Sequence, residues 1–282
     1  MTRGSCSGYG IRLVNLPGAW PPDPPIPSVS QFRVDFEAWL PSGEPEFWWS
    51  RLDHLVEIGW SYEARYRLLT DENRIKIGVG SVTERLTAVS LVVAVLPLLL
   101  PAFELEPLHG ASLALSGGAV LILGAAGAGK STTALSLLRT GATFLADDVC
   151  ALDANGSLWP GPPLIGALGD ASGPVLFEDY YGKTIRIPER YDPSPHDVAM
   201  ALILAPAPGA RLQVQPITGA DAVQELLSHV RAPSVLPEIR REHQLERIAT
   251  LAGSPVRRLT YDRAVHSPEA VASAIAECAA KG

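Results

Sequence analysis

The stretch that decides the fold is Gly124-Ala125-Ala126-Gly127-Ala128-Gly129-Lys130-Ser131, which matches the pattern G-x-x-x-x-G-K-[ST] at every fixed position. The apolar run 119–123 comes directly before it and predicts a buried strand. A helical pattern over 132–139 follows, and Gly141 is a typical residue to end such a helix. A strand, a glycine-rich loop and a helix in this order predict a phosphate-binding loop.

Each fixed position of this loop has a physical task. Glycines let the backbone curl so that its N–H groups point at phosphate oxygens, and the N-terminus of the following helix adds a positive dipole. Lys130 would reach the β- and γ-phosphates of ATP, and Ser131 would be a ligand of Mg²⁺. The predicted nucleotide-binding residues are Gly124, Ala125, Ala126, Gly127, Ala128, Gly129, Lys130, Ser131 and Thr132.

Two carboxylates follow the next apolar run. Residues 142–146 predict a second buried strand, and Asp147 and Asp148 stand at its C-terminal end. Ligands bind at that edge of open α/β sheets. Neighbouring side chains on a strand point to opposite sides, so one carboxylate can face Mg²⁺ and the other an acceptor hydroxyl. An ordinary Asp-Asp turn would contain the same residues, but the position downstream of the loop favours a catalytic role.

Two further blocks accompany the loop. Leu108-His109-Gly110 precedes it, and Gly141-Ala142-Thr143-Phe144-Leu145-Ala146-Asp147-Asp148-Val149 follows it. With the loop, these blocks resemble the HPr kinase/phosphorylase family and its smaller relatives among peptide-modifying serine kinases. The resemblance implies an α/β P-loop kinase domain of the HPr kinase/PEP carboxykinase-like type.

The same resemblance implies roles for the site residues. Asp147 would be the general base that accepts the seryl proton, Asp148 would join Ser131 at Mg²⁺, and His109 would lie near the transferring phosphate. The two Asp roles are open to exchange. Without the family spacing, His109 alone would be read as a hydrogen-bonded structural histidine.

The chain also departs from the larger bacterial enzymes of this family. Ala142 replaces their second histidine, and Thr132 stands where they carry an acidic residue. The glycine-rich Glu-x-Arg-Gly signature that follows their Asp pair is not found in this sequence. These departures argue against the reverse, phosphorylase activity and against HPr itself as the substrate.

Four softer patterns resemble the shorter kinase relatives, including those of lasso-peptide and other ribosomal-peptide pathways. They are the Leu-His-x-x-Ser segment at 108–112, Trp159-Pro160-Gly161-Pro162-Pro163, Gly182-Lys183 and Pro255-Val256-Arg257-Arg258-Leu259. In those relatives the acceptor is a serine hydroxyl, which in lasso systems lies at the peptide C-terminus. Lys183 is a candidate to clamp a phosphate or support developing charge, although most surface lysines do neither.

Composition narrows the class of partner. The chain has 282 residues, of which 47% are hydrophobic and 19% charged, so it can bury a large core. A net charge of −7 without a basic run argues against binding to nucleic acid or an anionic membrane. Three scattered cysteines fit neither a disulfide framework nor a zinc site.

The expected location is the cytoplasm. The first residues lack the apolar segment of a signal peptide, and the cysteines are interpreted as reduced thiols. The apolar run 88–103 contains Pro97 and Pro101 and is shorter than the roughly 20 residues that span a bilayer. We therefore expect it to be a buried helix.

Two domains are predicted. Residues 1–104 form a β-rich (α+β) accessory domain, with strands over 31–36 and 74–79, and residues 105–282 form the catalytic domain. The aromatic residues of the first domain either fill its core or form a peptide-docking surface; they are Trp39, Trp48, Trp49, Trp60, Tyr62 and Tyr66. Further predicted elements are a strand over 199–204 and helices over 221–230 and 268–280. The arginines of the stretch 231–247 are candidates for a lid over the nucleotide or the peptide, but no role is assigned to them.

The sequence favours a kinase that transfers the γ-phosphoryl group of ATP to a peptide serine. A small-molecule hydroxyl kinase would share every motif, and a regulatory module would bind the nucleotide without turnover. A decarboxylating carboxykinase ranks last, because no additional Lys/His metal-ligand set is recognisable. The oligomeric state is open, and a homo-oligomer is compatible with the sequence.

Overall fold

The computed structural model describes residues 3–21, 30–38, 47–52, 55–60, 64–80, 82–167, 174–178, 184–231 and 241–280. The chain divides into two compact units, Met1–Phe103 and Glu104–Gly282. Both units contain strands and helices.

The first unit contains a mixed sheet. Its strands are β1 (Arg3–Gly8), β2 (Ile11–Pro17), β3 (Ser30–Ala38), β4 (Phe47–Leu52), β5 (Leu55–Trp60), β6 (Ala64–Leu69) and β7 (Arg74–Val79). In the order β1-β2-β3-β7-β6-β5-β4, the neighbours β2, β3 and β7 run parallel and the other pairs antiparallel. Alternate residues such as Phe32 and Val34, or Ile75 and Ile77, are buried, as expected of strands with one face on a core.

Of the six aromatic residues considered for a core or a docking surface, one side chain is described. Tyr66 is buried, and its hydroxyl donates a hydrogen bond of 3.2 Å to the Thr87 carbonyl oxygen. Tyr66 therefore belongs to the core of this unit. Trp39, Tyr62 and the side chains of Trp48, Trp49 and Trp60 lie outside the described residues.

A continuous helical stretch ends the first unit. It comprises α1 (Glu84–Ser90), a π-helical turn (Leu91–Val95), α2 (Leu96–Leu99) and a 3₁₀ turn (Leu100–Phe103). Pro97 is the second residue of α2, which directly follows the π-helical turn, so its missing N–H falls where the regular α-helical hydrogen bonding is already interrupted. Among the described residues, this 20-residue stretch is the one helix long and apolar enough to cross a membrane, and half of its apolar window is buried inside the protein. Buried core helices of soluble proteins pass the same test.

The second unit is an α/β arrangement. Its strands are β8 (Glu106–Leu115), β9 (Gly118–Gly124), β10 (Thr143–Ala146), β11 (Val149–Leu152), β12 (Ser157–Trp159), β13 (Ile165–Ala167), β14 (Val175–Glu178), β15 (Thr184–Arg186), β16 (His196–Pro206), β17 (Gln213–Ile217) and β18 (Val256–Tyr261). Its helices are α3 (Lys130–Arg139), α4 (Gly219–Leu227), α5 (Arg241–Ala252) and α6 (Pro268–Ala280).

The main sheet is built around β9. This strand pairs in parallel with β16 and antiparallel with β8, and β16 pairs in parallel with β18. On its other edge β8 pairs with β10 and then with β11. Strand β12 connects β11 to the start of β16, so β8, β11, β12, β16 and β9 form a closed circuit of pairings. Strands β13, β15 and β14 form a separate small sheet in that order.

Two apolar cores cover the two faces of β9. Leu121 and Leu123 pack in a cluster with residues of α4 and α5, whereas Val120 and Ile122 pack in a cluster with residues of α3 and α6. Alternation along a strand sends successive side chains to opposite faces. Because both faces are covered by helices, the strand is continuously apolar, as the sequence predicts. The strand is thereby fixed on both sides, and the loop that follows Gly124 starts from a rigid element.

Candidate active site

The loop after β9 has a conformation that requires its glycines. Gly124, Gly127 and Gly129 have φ of +148°, +72° and +97°, a region that favours glycine. A Cβ on Gly124 would also lie 2.8 Å from the Leu204 carbonyl oxygen. All three glycines therefore allow the backbone turn, and Gly124 in addition allows the close approach to β16.

Lys130 begins α3 and is buried. Its Nζ atom donates hydrogen bonds of 2.8 Å to the Gly124 carbonyl and 3.0 Å to the Ala125 carbonyl. The ammonium group is thus held inside the loop. Within the loop the residues 125–127 are exposed, as is Thr132 at the start of the helix. An exposed loop with a held cation and a helix N-terminus can bind a polyphosphate.

Asp147 lies against this helix start. The Ser131 hydroxyl donates to Asp147 Oδ1 at 3.0 Å, and the Gly166 N–H of β13 donates to Oδ2 at 3.1 Å. The residue keeps some solvent contact, but its carboxyl group is recessed between these two partners. Burial raises the pKa of the Asp147 carboxyl from 3.8 to about 6, and the hydrogen bonds from Gly166 and Ser131 oppose that rise.

Asp148 has a different environment. It is exposed, it forms an ion pair with Arg231, and its φ is +69°. As the sequence predicts, both carboxylates follow the C-terminal end of β10. They do not continue the strand, because the left-handed backbone of Asp148 makes a bend between β10 and β11, and the two strands pair with β8 on either side of it. The alternation expected of neighbouring residues on a strand therefore does not apply to them. The bend separates a recessed carboxylate from an exposed one.

His109 lies beside the bend, on β8. Its Nδ1 atom is 3.0 Å from the Asp148 carbonyl oxygen and 3.4 Å from Asp148 Oδ1. Burial, and then the nearby Lys130 charge, lower the pKa of His109 below its ordinary 6.5. A neutral ring that donates from Nδ1 to the carbonyl has its Nε2 lone pair free to accept.

Close packing fixes the position of His109. A Cβ on the next residue, Gly110, would lie 2.7 Å from the Ile122 carbonyl oxygen. On the edge of β8 that faces away from β11, the His109 N–H donates to the His229 carbonyl at 2.7 Å, and the Arg231 N–H donates to the Pro107 carbonyl at 2.8 Å. The segment 229–231 is therefore attached to the same strand that carries His109.

The oxygen donors of Ser131 and Asp147 fit a magnesium ion. Mg²⁺ prefers oxygen ligands and is usually bound by one or two protein groups together with phosphates and water. A hydroxyl and a carboxylate 3.0 Å apart at the start of α3 are such a pair. Among the residues that the structure describes, no group of three or more His, Cys, Asp or Glu side chains converges as a complete metal site.

The structure brings together most of the predicted site residues. Lys130, Ser131, Asp147, Asp148 and His109 lie around the loop and the bend. Lys183 lies outside the described residues, and its role stays a prediction.

Sequence reasoning did not assign three other residues at this site. Arg231 contacts Asp148, Gly166 contacts Asp147, and His229 lies beside His109, which it contacts through the backbone. Burial lowers the pKa of His229. The basic stretch after 230 was a visible signal for Arg231, but nothing in the sequence connects Gly166 or His229 to the site.

Of three comparisons with known proteins, the one with solved structures found matches. No protein-family model matches the chain, and no curated protein matches it. Among solved structures, the chain is similar to the Hpr(Ser) kinase/phosphatase from Coxiella burnetii, with 17% sequence identity, a TM-score of 0.35, and coverage of 62% of this chain and 92% of that one.

Proposed function

We propose that this chain is an ATP- and Mg²⁺-dependent kinase that transfers the γ-phosphoryl group to a serine hydroxyl of a peptide. The observation that carries the proposal is the pair of unlike neighbouring carboxylates at the bend after β10. One is recessed against Ser131, and the other is exposed beside Arg231 and His109. Phosphoryl transfer needs a polyphosphate cradle, a metal-binding carboxylate and a carboxylate for the acceptor hydroxyl.

The sequence left open which aspartate binds the metal and which is the general base. The environments of the two carboxylates favour Asp147 as the metal ligand and Asp148 as the base. Asp147 is recessed and hydrogen-bonded to Ser131, so it would hold Mg²⁺ together with that hydroxyl. Both of its oxygens already have partners within the protein, which leaves little access for a peptide hydroxyl. When bound, Mg²⁺ would neutralise charge on the β- and γ-phosphates.

Asp148 is better placed than Asp147 to receive the proton of the acceptor hydroxyl. Its exposed carboxylate is oriented by Arg231 and lies beside His109. In the proposed reaction it accepts the proton of the serine hydroxyl while the serine oxygen forms a bond to the γ-phosphorus and the bond to the β-phosphate bridging oxygen breaks. The backbone of the loop and Lys130 hold the triphosphate in line, and ADP leaves with the bridging oxygen.

The acceptor proposed is a peptide, with the C-terminal serine of a lasso or other ribosomally made peptide as the first candidate. The resemblance of the softer sequence patterns to the shorter kinases supports this choice. The small sheet gives further support, because its edge strand β13 contacts Asp147 through Gly166. Extended peptides are commonly recognised by adding to the edge of a sheet.

The experiment is mass spectrometry of peptides incubated with the protein, ATP and Mg²⁺. Two peptides of one sequence are compared, one ending in serine and one ending in alanine. The expected result is a phosphate increment on the serine peptide alone, and its loss with Asp148→Asn. A panel of serine peptides without any increment, together with phosphorylation of low-mass alcohols, would replace this proposal by a small-molecule kinase. Nucleotide binding without transfer to any acceptor would indicate a regulatory module.

A further inference from the structure

The phosphate-binding loop is contacted by side chains from the end of β18, which no motif assigns. Tyr261, the last residue of that strand, is buried, and its hydroxyl donates to the Ala128 carbonyl at 2.8 Å. Arg263 follows two positions later, is exposed, and donates from Nη2 to the Gly127 carbonyl. These two residues lie more than 130 positions from the loop in sequence.

Bonds to the loop carbonyls determine where its N–H groups point. In a planar trans peptide unit the C=O and N–H bonds point in opposite directions. Tyr261 holds the Ala128 carbonyl, so the N–H of Gly129 is directed the other way. With Lys130 on the Gly124 and Ala125 carbonyls, side chains occupy four carbonyl groups of the loop. This arrangement keeps the loop close to one conformation before a phosphate binds, which reduces the ordering cost of binding.

Arg263 is presented by an ordered turn. The Asp262 carboxylate accepts from the Gly209 N–H at 2.7 Å and from the Ala264 N–H at 2.8 Å. Those bonds hold the turn that carries Arg263 next to the exposed part of the loop. The guanidinium donates to the Gly127 carbonyl, and the N–H of the same peptide unit, on Ala128, donates to the Ala125 carbonyl at 2.9 Å, so this peptide unit is held at both ends.

We infer that the end of β18 is part of the nucleotide site, where Tyr261 and Arg263 are positioning residues that hold carbonyls of the loop and so fix the direction of its N–H groups. The inference rests on the nucleotide-binding half of the proposed function and is independent of the acceptor. It places the bound phosphates on the N–H side of the loop, opposite the carbonyls that Tyr261 and Arg263 hold.

Isothermal titration of the whole chain with Mg²⁺·ADP and with Mg²⁺·ATP tests the role of Arg263. Arg263→Gln is expected to raise both dissociation constants about three- to ten-fold, because the charge-assisted bond that holds the Gly127 carbonyl is lost and the loop must then be ordered on binding. Arg139→Gln is the matched control, since Arg139 is an exposed arginine at the far end of α3 with an ion pair of 3.6 Å to Glu269. That control removes the same charge and is expected to leave both constants unchanged.

Tyr261→Phe and Tyr191→Phe form the second matched pair. Each removes a tyrosine hydroxyl that donates 2.8 Å to a backbone carbonyl, Ala128 in one case and Gly161 in the other. Both variants are expected to lose similar thermal stability, but only Tyr261→Phe is expected to weaken ADP binding, by about three- to ten-fold. A purely structural Tyr261 would lower stability without this change.

The outcomes separate this inference from the proposals on which it rests. Equal ADP affinity in wild type, Arg263→Gln and Tyr261→Phe would overturn the inference while nucleotide binding stands. An equal loss in Arg139→Gln would also overturn it, because the effect would then be one of net charge. Failure of the wild-type chain to bind ADP or ATP would overturn both the inference and the proposed kinase. ADP binding without peptide phosphorylation would count against the kinase alone.

Discussion

The Ser131 hydroxyl donates a hydrogen bond of 3.0 Å to Asp147 Oδ1, and this bond joins the first turn of α3 to the bend after β10. The two residues are 16 positions apart in sequence, yet they share the place where a loop-bound phosphate and a metal ion would meet. Burial raises the pKa of the Asp147 carboxyl to about 6, so the site disfavours the ionised form of this group. Perturbed carboxylates of this kind are typical of functional sites.

Asp147→Asn is expected to lower the turnover of peptide phosphorylation by about 10²- to 10³-fold, because a neutral amide is a poor ligand for Mg²⁺ and supplies no negative charge. The amide can retain hydrogen bonds to Ser131 and Gly166, so the fold should be preserved. Initial rates at saturating ATP, with circular dichroism as the control for folding, measure this effect. A variant that phosphorylates at the wild-type rate would remove Asp147 from the mechanism.

The same substitution should stabilise the protein when nucleotide and metal are absent. Between pH 3.8 and about 6 the native state binds more protons at Asp147 than the unfolded chain, so stability falls as pH rises through that window. Asn carries no charge and avoids this loss. After allowance for the partial solvent access of the residue, we expect a gain of about 1–2 kcal/mol at pH 7 and little gain at pH 4. Urea unfolding at the two pH values measures the difference.

The affinity for Mg²⁺ is expected to rise with pH between 5 and 7. The metal binds the ionised carboxylate, and at pH values below about 6 the proton on Asp147 must be released first. Below that pKa, the apparent Mg²⁺ affinity in the presence of ADP should fall about ten-fold per pH unit, and above it the affinity should level off. In Asp147→Asn the same titration should be nearly flat. A wild-type affinity that does not change from pH 5 to pH 7 would contradict the metal-binding role.

Asp148→Asn and Arg231→Gln should affect the acceptor side of the reaction. Asp148→Asn removes the proposed base, and we expect turnover to fall about 10²- to 10⁴-fold with little change in the dissociation constant for ADP. Arg231→Gln breaks the ion pair that orients Asp148, so a smaller loss is expected, about ten-fold. In the double variant the losses should be less than additive, since Arg231 acts through Asp148. Additive losses would indicate that Arg231 acts independently.

The conformation of the loop 124–131 could be predicted from the sequence because each of its fixed residues has a local physical reason. The apolar run of β9, the glycines with positive φ and the buried lysine that begins α3 occur within 20 consecutive residues. The motif therefore contains nearly all of the information that shapes the loop. The motif does not indicate which strands pair with β9, and these are β8 and β16.

The surroundings of Asp148 could not be predicted in the same way. Arg231 reaches Asp148 across 83 positions because the segment 229–231 bonds to the edge of β8. That pairing also explains why α4 ends at Leu227, although the amphipathic pattern predicts a helix to 230. The bend at Asp148 was predicted only as the alternative to a catalytic pair at a strand end, because its positive φ falls on an aspartate and no glycine marks the position.

The last prediction concerns Gly110, whose lack of a side chain lets β8 approach β9 beside the site. An added Cβ would lie 2.7 Å from the Ile122 carbonyl and 2.8 Å from a Leu123 methyl carbon, and neither the strand backbone nor a fully buried leucine can move freely. We expect Gly110→Ala to destabilise the chain by about 1–3 kcal/mol. Any shift of β8 would also move His109, so peptide phosphorylation should fall beyond the loss of folded protein.

Gly219→Ala is the control for this prediction. Gly219 has φ of +60° and no atom within 4 Å of an added Cβ, so the substitution costs only backbone strain, about 1–2 kcal/mol. Its specific activity per folded molecule should equal that of wild type, whereas that of Gly110→Ala should be lower. Thermal unfolding and activity measured on the same samples separate the two effects. If Gly110→Ala keeps full activity per folded molecule, the close approach of β8 and β9 serves stability alone and does not position His109.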